Sequence, residues 1–298
     1  MGKNRTPLRY PGGKQKLTPF IRELLVENGL IGGHYVEPYA GGAGVGIELL
    51  LGDYVSHIYL NDSSFPIYCF WNSIVSHPDE FCWLIRSASL DVDEWKRHRT
   101  IFQNPTQYSE IEVGFSTFYL NRCNRSGILS GGLIGGLAQT GEWKMDARFP
   151  RNELIYRIEA IAEKSDSISV KNLDAERFIL EYIPSLPENT LVYCDPPYFK
   201  KSRDLYLHHY GEKDHARIAG VIQNYLARRW VVSYDSVPEI LHHYAERKHF
   251  SYSLQYNALE AYKGQEIFIF SDDVRIPTNS SLSYINAGIQ LSTAILHQ

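Results

Sequence analysis

The sequence holds no apolar run approaching the ~20 residues of a membrane-spanning helix. Met1 to Tyr10 is basic and polar with no apolar segment behind it, which argues against a secretory leader. Cysteine is scarce: Cys69, Cys82, Cys123 and Cys194 lie far apart with no CxxC pair. They are expected to be reduced thiols of a cytosolic protein, with neither a disulfide frame nor a zinc site. The 11 histidines are scattered, and the pairs His208-His209 and His242-His243 lack a spaced cysteine or acidic partner, so no metal centre is expected. Excess charge is lacking too. A net charge of −4 argues mildly against non-specific nucleic-acid binding but leaves room for a local basic face. Internal repeats and low-complexity tracts are absent. What remains is a chain of 298 residues, 44% apolar and 21% charged, enough for one large domain or two smaller ones.

The most informative stretch is Val192-Tyr193-Cys194-Asp195-Pro196-Pro197-Tyr198. Thr190 to Cys194 predicts a buried strand, and the two prolines stop it. Asp195 is thereby placed at the carboxyl end of a strand, where open α/β sheets bind ligands. A carboxylate and the Pro196 carbonyl are both acceptors and suit the two hydrogens of an exocyclic amine, while Tyr198 offers a flat ring for stacking. A strand-to-loop turn whose aspartate caps something is the plain alternative.

Two glycine-rich turns precede it. Arg9-Tyr10-Pro11-Gly12-Gly13-Lys14 leads into a helix over Leu17 to Asn28; it reads either as a simple turn or as a lid whose Tyr10 covers, and whose Lys14 salt-bridges, a bound molecule. Tyr35-Val36-Glu37-Pro38-Tyr39-Ala40-Gly41-Gly42-Ala43-Gly44-Val45-Gly46 reads as strand, turn and the start of a helix, the opening of a nucleotide-type unit. It has neither the Lys-Ser/Thr of a phosphate loop nor the GxGxxG spacing of a dinucleotide fold. A second strand, His57 to Leu60, ends in Asn61-Asp62, an acid positioned to accept hydrogen bonds from a ribose.

From about Ile67 to Ile161 the pattern changes to short helix-like segments. It includes a glycine-rich stretch beginning Asn121-Arg122-Cys123-Asn124-Arg125-Ser126-Gly127 and ending Gly141-Glu142-Trp143-Lys144-Met145-Asp146-Ala147-Arg148-Phe149-Pro150-Arg151. Asn and Arg suit base edges and phosphates, so Arg122, Asn124, Arg125, Lys144 and Arg148 are candidate nucleic-acid contacts. Alternating α/β character then returns: a strand Ser167 to Val170 leads to Asn172-Leu173-Asp174, and a helix covers Ala175 to Tyr182. Lys200 and Lys201 form a basic rim after the Asp195 segment. A terminal antiparallel hairpin is expected over Ser251 to Phe270, turning at Lys263-Gly264.

Taken in order, RYPGGK, VEPYAGGAG, the Leu60-Asn61-Asp62 strand end and DPPY make the chain resemble the Dam-type (D12 class) DNA adenine-N6 methyltransferases. Tyr262-Lys263-Gly264-Gln265-Glu266-Ile267 is similar to that family's late KG-x-E-I segment. The resemblance implies a Rossmann-like α/β sheet with a terminal antiparallel hairpin, formed by residues 1–69 and 163–274. It implies an inserted, mostly helical target-recognition domain at 70–162; no role follows for 275–298. S-adenosyl-L-methionine is the implied cofactor, with Tyr10, Lys14, Glu37, Pro38, Ala40, Gly41, Gly42, Ala43, Asp62, Leu173, Asp174 and Asp195 around it. Asp195, Pro196, Pro197 and Tyr198 would hold a flipped adenine. The implied partners are double-stranded DNA and a cognate restriction endonuclease or other defence component, in a cytoplasmic, nucleoid-associated setting of bacterial or phage origin. Ser126-Gly127 replaces the family's Asn-Gly, so a GATC target does not follow. Methylation of cytosine N4, an RNA base or a protein glutamine stays open, as does a DNA-binding scaffold without turnover. Asp195, rather than Ser or Asn before the prolines, favours adenine.

Overall fold

A computed structural model describes residues 5–9, 14–199, 210–256, 262–277 and 290–291. Tyr10, the Pro-Gly-Gly turn, Lys200 and Lys201 lie outside these, as does most of 275–298. The centre is an eight-stranded sheet of order β3-β2-β1-β4-β5-β7-β6-β8. Its strands are β1 (His34–Glu37), β2 (His57–Asn61), β3 (Ile168–Lys171), β4 (Thr190–Cys194), β5 (Arg229–Asp235), β6 (His249–Tyr256), β7 (Tyr262–Phe270) and β8 (Gln290–Leu291). The first five run parallel, and β7 enters antiparallel between β5 and β6. The α/β sheet with an antiparallel end matches the expected fold class.

Chain direction across the sheet reverses between β1 and β4. Ligands of open α/β sheets bind at that crevice, beyond the carboxyl ends of the strands. Glu37 ends β1 and Asp195 follows β4, so the two leading motifs meet there.

Alternation along the strands sends residues to two cores. Tyr35, Ile58, Leu191 and Tyr193 pack on one side with α1 (Thr18–Glu27) and α2 (Gly44–Leu51). Val36, Val192, Cys194 and Val232 pack on the other with the helix Glu212–Tyr225. All four cysteines are buried free thiols. Among the described residues no helix is long and apolar enough to cross a membrane.

Between β2 and β3 the chain forms α3 (Phe65–Ser76), α4 (Pro78–Ser87), α5 (Val92–Gln103), α6 (Glu110–Cys123) and α7 (Arg151–Ala162). The helix α6 has almost no amphipathic period, because every residue from Val113 to Cys123 is buried. A helix buried all round must be enclosed by its neighbours. Its Gly114 permits the closest approach: a Cβ there would stand 2.6 Å from the Cys69 carbonyl oxygen and 2.7 Å from Ser73 Oγ on α3. Phe70, Trp71, Phe81 and Phe118 from these helices join the core that also holds Tyr35 and Leu191. The helical region therefore shares its main core with the sheet, and only a small group around Cys69, Ile101 and Val113 clusters apart.

The hairpin differs from expectation in register. Lys263 and Gly264 do not form its turn; both are inside β7, paired with Gln255 and Leu254 of β6. A glycine in a strand resembles turn chemistry in sequence, and pairing with the neighbouring strand overrides that preference.

Candidate active site

The glycine-rich turn after β1 is held from several directions. Gly41 and Ala43 adopt positive φ values of 44° and 42°. Asp62 Oδ2 accepts from the Gly41 N–H at 2.8 Å, and its Oδ1 accepts from the Ser64 N–H at 2.9 Å. The Trp71 indole on α3 donates to the Gly41 carbonyl at 2.8 Å, and Thr6 Oγ1 donates to the Gly42 carbonyl at 2.6 Å. The fully buried Asn61 links three strand ends: its amide donates to the Pro38 and Leu173 carbonyls, both at 3.0 Å, and its Oδ1 accepts from the Leu173 N–H at 3.0 Å. Pro38, Asp62 and Leu173 are thereby gathered at one edge of the crevice. Asp174 is exposed and caps the following turn by accepting from the Glu176 N–H at 2.9 Å.

Glu37 points inward. It is buried and accepts from the Gly46 N–H at 2.9 Å. Burial raises its carboxyl to about 8, with the nearby Asp195 charge adding to the rise and the Gly46 N–H opposing it.

The second half of the site is an ionic network. Lys14 is buried, with Nζ 2.6 Å from Glu266 Oε2 and 3.2 Å from Asp195 Oδ1. Burial by itself would lower the lysine, but the charges of Asp195 and Glu266 outweigh it and raise it well above its ordinary value. Glu266, on β7, also accepts from Tyr198 OH at 2.6 Å on Oε1 and from Tyr252 OH at 2.5 Å on Oε2. The Lys14 ammonium stands 5.0 Å from the centre of the Tyr198 ring, on one of its faces. Asp195 Oδ1 accepts from Ser233 Oγ at 2.7 Å. Burial raises the Asp195 carboxyl, Lys14 opposes that rise, and Glu266 adds to it.

The basic candidates divide. Arg125, Lys144 and Arg148 are not buried. Arg122 and Asn124 are buried, which corrects the expectation that they contact nucleic acid. Arg122 Nε donates to the Arg148 carbonyl at 2.6 Å, and its Nη1 to the Pro7 carbonyl at 3.3 Å. Asn124 Oδ1 accepts from the Trp95 indole at 2.8 Å while its amide donates to the Ile128 and Leu129 carbonyls. Neighbouring Asn121 clamps the N-terminal segment, accepting from the Arg9 N–H and donating to the Arg9 carbonyl, both at 2.7 Å. These side chains fasten the segment carrying Lys14 to the helical region.

Residue-type reasoning missed Asn61, Tyr193, Ser233 and Tyr252. For Glu266 a signal existed, since an acid preceding the apolar run Ile267 to Phe270 must find partners if it is buried.

A family model for the D12 class N6 adenine-specific DNA methyltransferases matches residues 10–258. The chain belongs to that family. Among solved structures, the methyltransferase is similar to the rRNA methyltransferase AviRa from Streptomyces viridochromogenes, with a TM-score of 0.39 and 12% identity over 89% of this chain and 88% of that one. It is also similar to protein LPL1258 from Legionella pneumophila, with a TM-score of 0.36 and 10% identity over 98% of both chains. Both likenesses are too distant to bear on function. No curated protein matches the methyltransferase.

Proposed function

We propose that the methyltransferase transfers a methyl group from S-adenosyl-L-methionine to the N6 amino group of an adenine turned out of duplex DNA. The observation that carries this reading is the position of Asp195: beyond β4 at the switch point, beside the turn that follows β1, with Oδ1 held by Ser233 and Lys14.

The residues around the turn fit the proposed cofactor. Its sulfonium and ammonium groups are cationic, and Asp62 and Asp195 supply carboxyl groups on that side of the crevice, while Glu37, which burial keeps protonated up to about pH 8, is a neutral hydrogen-bonding group there. A carboxylate oxygen can accept more than one hydrogen bond, so Asp62 can hold the Gly41 and Ser64 N–H groups and still accept from ribose hydroxyls. When bound, S-adenosyl-L-methionine supplies an electrophilic methyl group. Asp195 and the Pro196 carbonyl accept the amino hydrogens, localising the nitrogen lone pair and stabilising the charge that grows on it. Tyr198, held through its hydroxyl by Glu266, orients the base. Arg125, Lys144 and Arg148 meet the DNA; Lys200 and Lys201 remain candidates by sequence.

The test is incubation with duplex DNA and S-adenosyl-L-methionine, digestion to nucleosides and mass analysis. N6-methyladenine is expected from the parent enzyme and none from Asp195→Ala, which should still bind DNA. N4-methylcytosine as the product, or undiminished turnover by Asp195→Ala, would overturn the assignment.

A further inference from the structure

Tyr193 and Asp195 are two residues apart along β4 and its continuation, so their side chains leave on the same face. The parallel register of β4 with β5 pairs Tyr193 with Val231 and Cys194 with Val232, which brings Ser233 beside Asp195. Ser233 is fully buried, and its Oγ donates to Asp195 Oδ1 at 2.7 Å. On its other side the Tyr193 hydroxyl lies 2.8 Å away, also buried. A serine hydroxyl carries one proton. Since Ser233 gives that proton to the carboxylate, Tyr193 must be the donor to Ser233. The result is a directed line of hydrogen bonds, Tyr193 to Ser233 to Asp195, with Lys14 on the same carboxylate oxygen at 3.2 Å. Among the described residues Oδ2 has no donor.

We infer that Ser233, backed by Tyr193, is a positioning residue that fixes the rotation of the Asp195 carboxyl group and so reserves Oδ2 for the substrate amino group. The inference rests on the proposed function. An aspartate χ2 torsion is broad and nearly two-fold when nothing holds it, whereas aiming an amine lone pair demands a narrow geometry. Lys14 contributes charge at Oδ1, but an ammonium with three rotating donors selects an orientation poorly. The serine is rooted in the sheet and selects it well.

The groups facing Asp195 are Lys14 from the turn before α1, Glu266 from β7, Ser233 from β5, Tyr35 and Glu37 from β1, and Tyr193 from β4. Removing the serine proton donor leaves the others unchanged, so the Asp195 carboxyl should become harder to ionise.

The experiment compares Ser233→Ala and Tyr193→Phe with the parent enzyme. For Ser233→Ala, kcat should fall roughly tenfold to a hundredfold, the scale of a lost hydrogen bond to a charged group. The KM values for DNA and S-adenosyl-L-methionine should change little, and the acid limb of the rate profile should move to higher pH. Tyr193→Phe should do the same more weakly. In parallel, a carbon-13 NMR titration of the Asp195 carboxyl should show a raised midpoint in Ser233→Ala, a readout that needs no turnover. An unmoved midpoint, or parental kcat and an unmoved acid limb in Ser233→Ala, overturns the positioning role. A parent enzyme that makes no N6-methyladenine while the midpoint shifts would overturn the reaction and leave the hydrogen-bonded line standing.

Discussion

Glu266 has three donors on two oxygens inside the protein, and its neutral isostere is the most revealing substitution. Glu266→Gln keeps the shape and leaves one oxygen to accept from one tyrosine hydroxyl, while its amide nitrogen cannot accept from the other and the charge that holds Lys14 at 2.6 Å is removed. Asp195, 3.2 Å away, becomes the remaining counter-charge in the network. Breaking a buried ion pair from one side costs about 3–5 kcal/mol, because the other charge stays in a poor solvent. At about 2–3 °C per kcal/mol for a chain of this size, Tm should drop by roughly 6–15 °C. Removing both charges should restore part of the loss: Lys14→Met/Glu266→Gln should be less destabilised than the sum of the single variants by roughly 0.5–3 kcal/mol. Urea denaturation of the four proteins gives the cycle directly. A Glu266→Gln variant within about 1 kcal/mol of the parent, the ordinary scale of a single substitution, together with strictly additive effects, would refute the claim that this network is a cohesive unit.

Four further outcomes follow from the geometry. Arg125→Ala, Lys144→Ala and Arg148→Ala should weaken DNA binding, and each residue that neutralises a phosphate should account for about 0.9 of the slope of log affinity on log salt, measured by fluorescence anisotropy. Arg122→Ala should instead lower thermal stability and leave that salt slope unchanged, since its guanidinium is spent on the Pro7 and Arg148 carbonyls. Glu37 is protonated more readily in the fold, at about 8, than in an unfolded chain, near the ordinary 4.5. Its stabilising contribution is therefore complete below about pH 4.5 and is lost as pH rises to about 8. Across that window Glu37→Gln should gain on the parent by up to ~1.4 kcal/mol per pH unit in denaturation experiments. Gly114→Ala should push α3 and α6 apart and cost about 1–3 kcal/mol, read from the urea midpoint.

Much of the crevice was legible because its signals are local. The run Thr190 to Cys194 forms β4 with the boundaries its bulk and branching suggest, and the prolines after Asp195 end it. The glycine turn and the acid at Asp62 lie 21 residues apart in the chain and meet through one hydrogen bond. Long-range partnerships were not legible. Asn121 and Arg122 look like readers of nucleic acid because amide and guanidinium groups suit base edges. Their partners, Arg9 and Pro7, stand 112 and 115 residues away, and no local pattern records that pairing. Ser233 was hidden for the same reason, being an ordinary hydroxyl in an apolar strand until the sheet register sets it against Asp195.

The indole of Trp71 ties the first helix after β2 to the turn after β1, and Asn121 ties the last turn of α6 to Arg9. An engineer exchanging only residues 70–162 with a relative, hoping to import new sequence preference, would cut both ties. The graft would leave the turn after β1 without its indole brace and the segment leading to Lys14 without its clamp. On the proposed reading, retargeting calls for changing accessible positions such as Arg125, Lys144 and Arg148 one at a time on the resident scaffold.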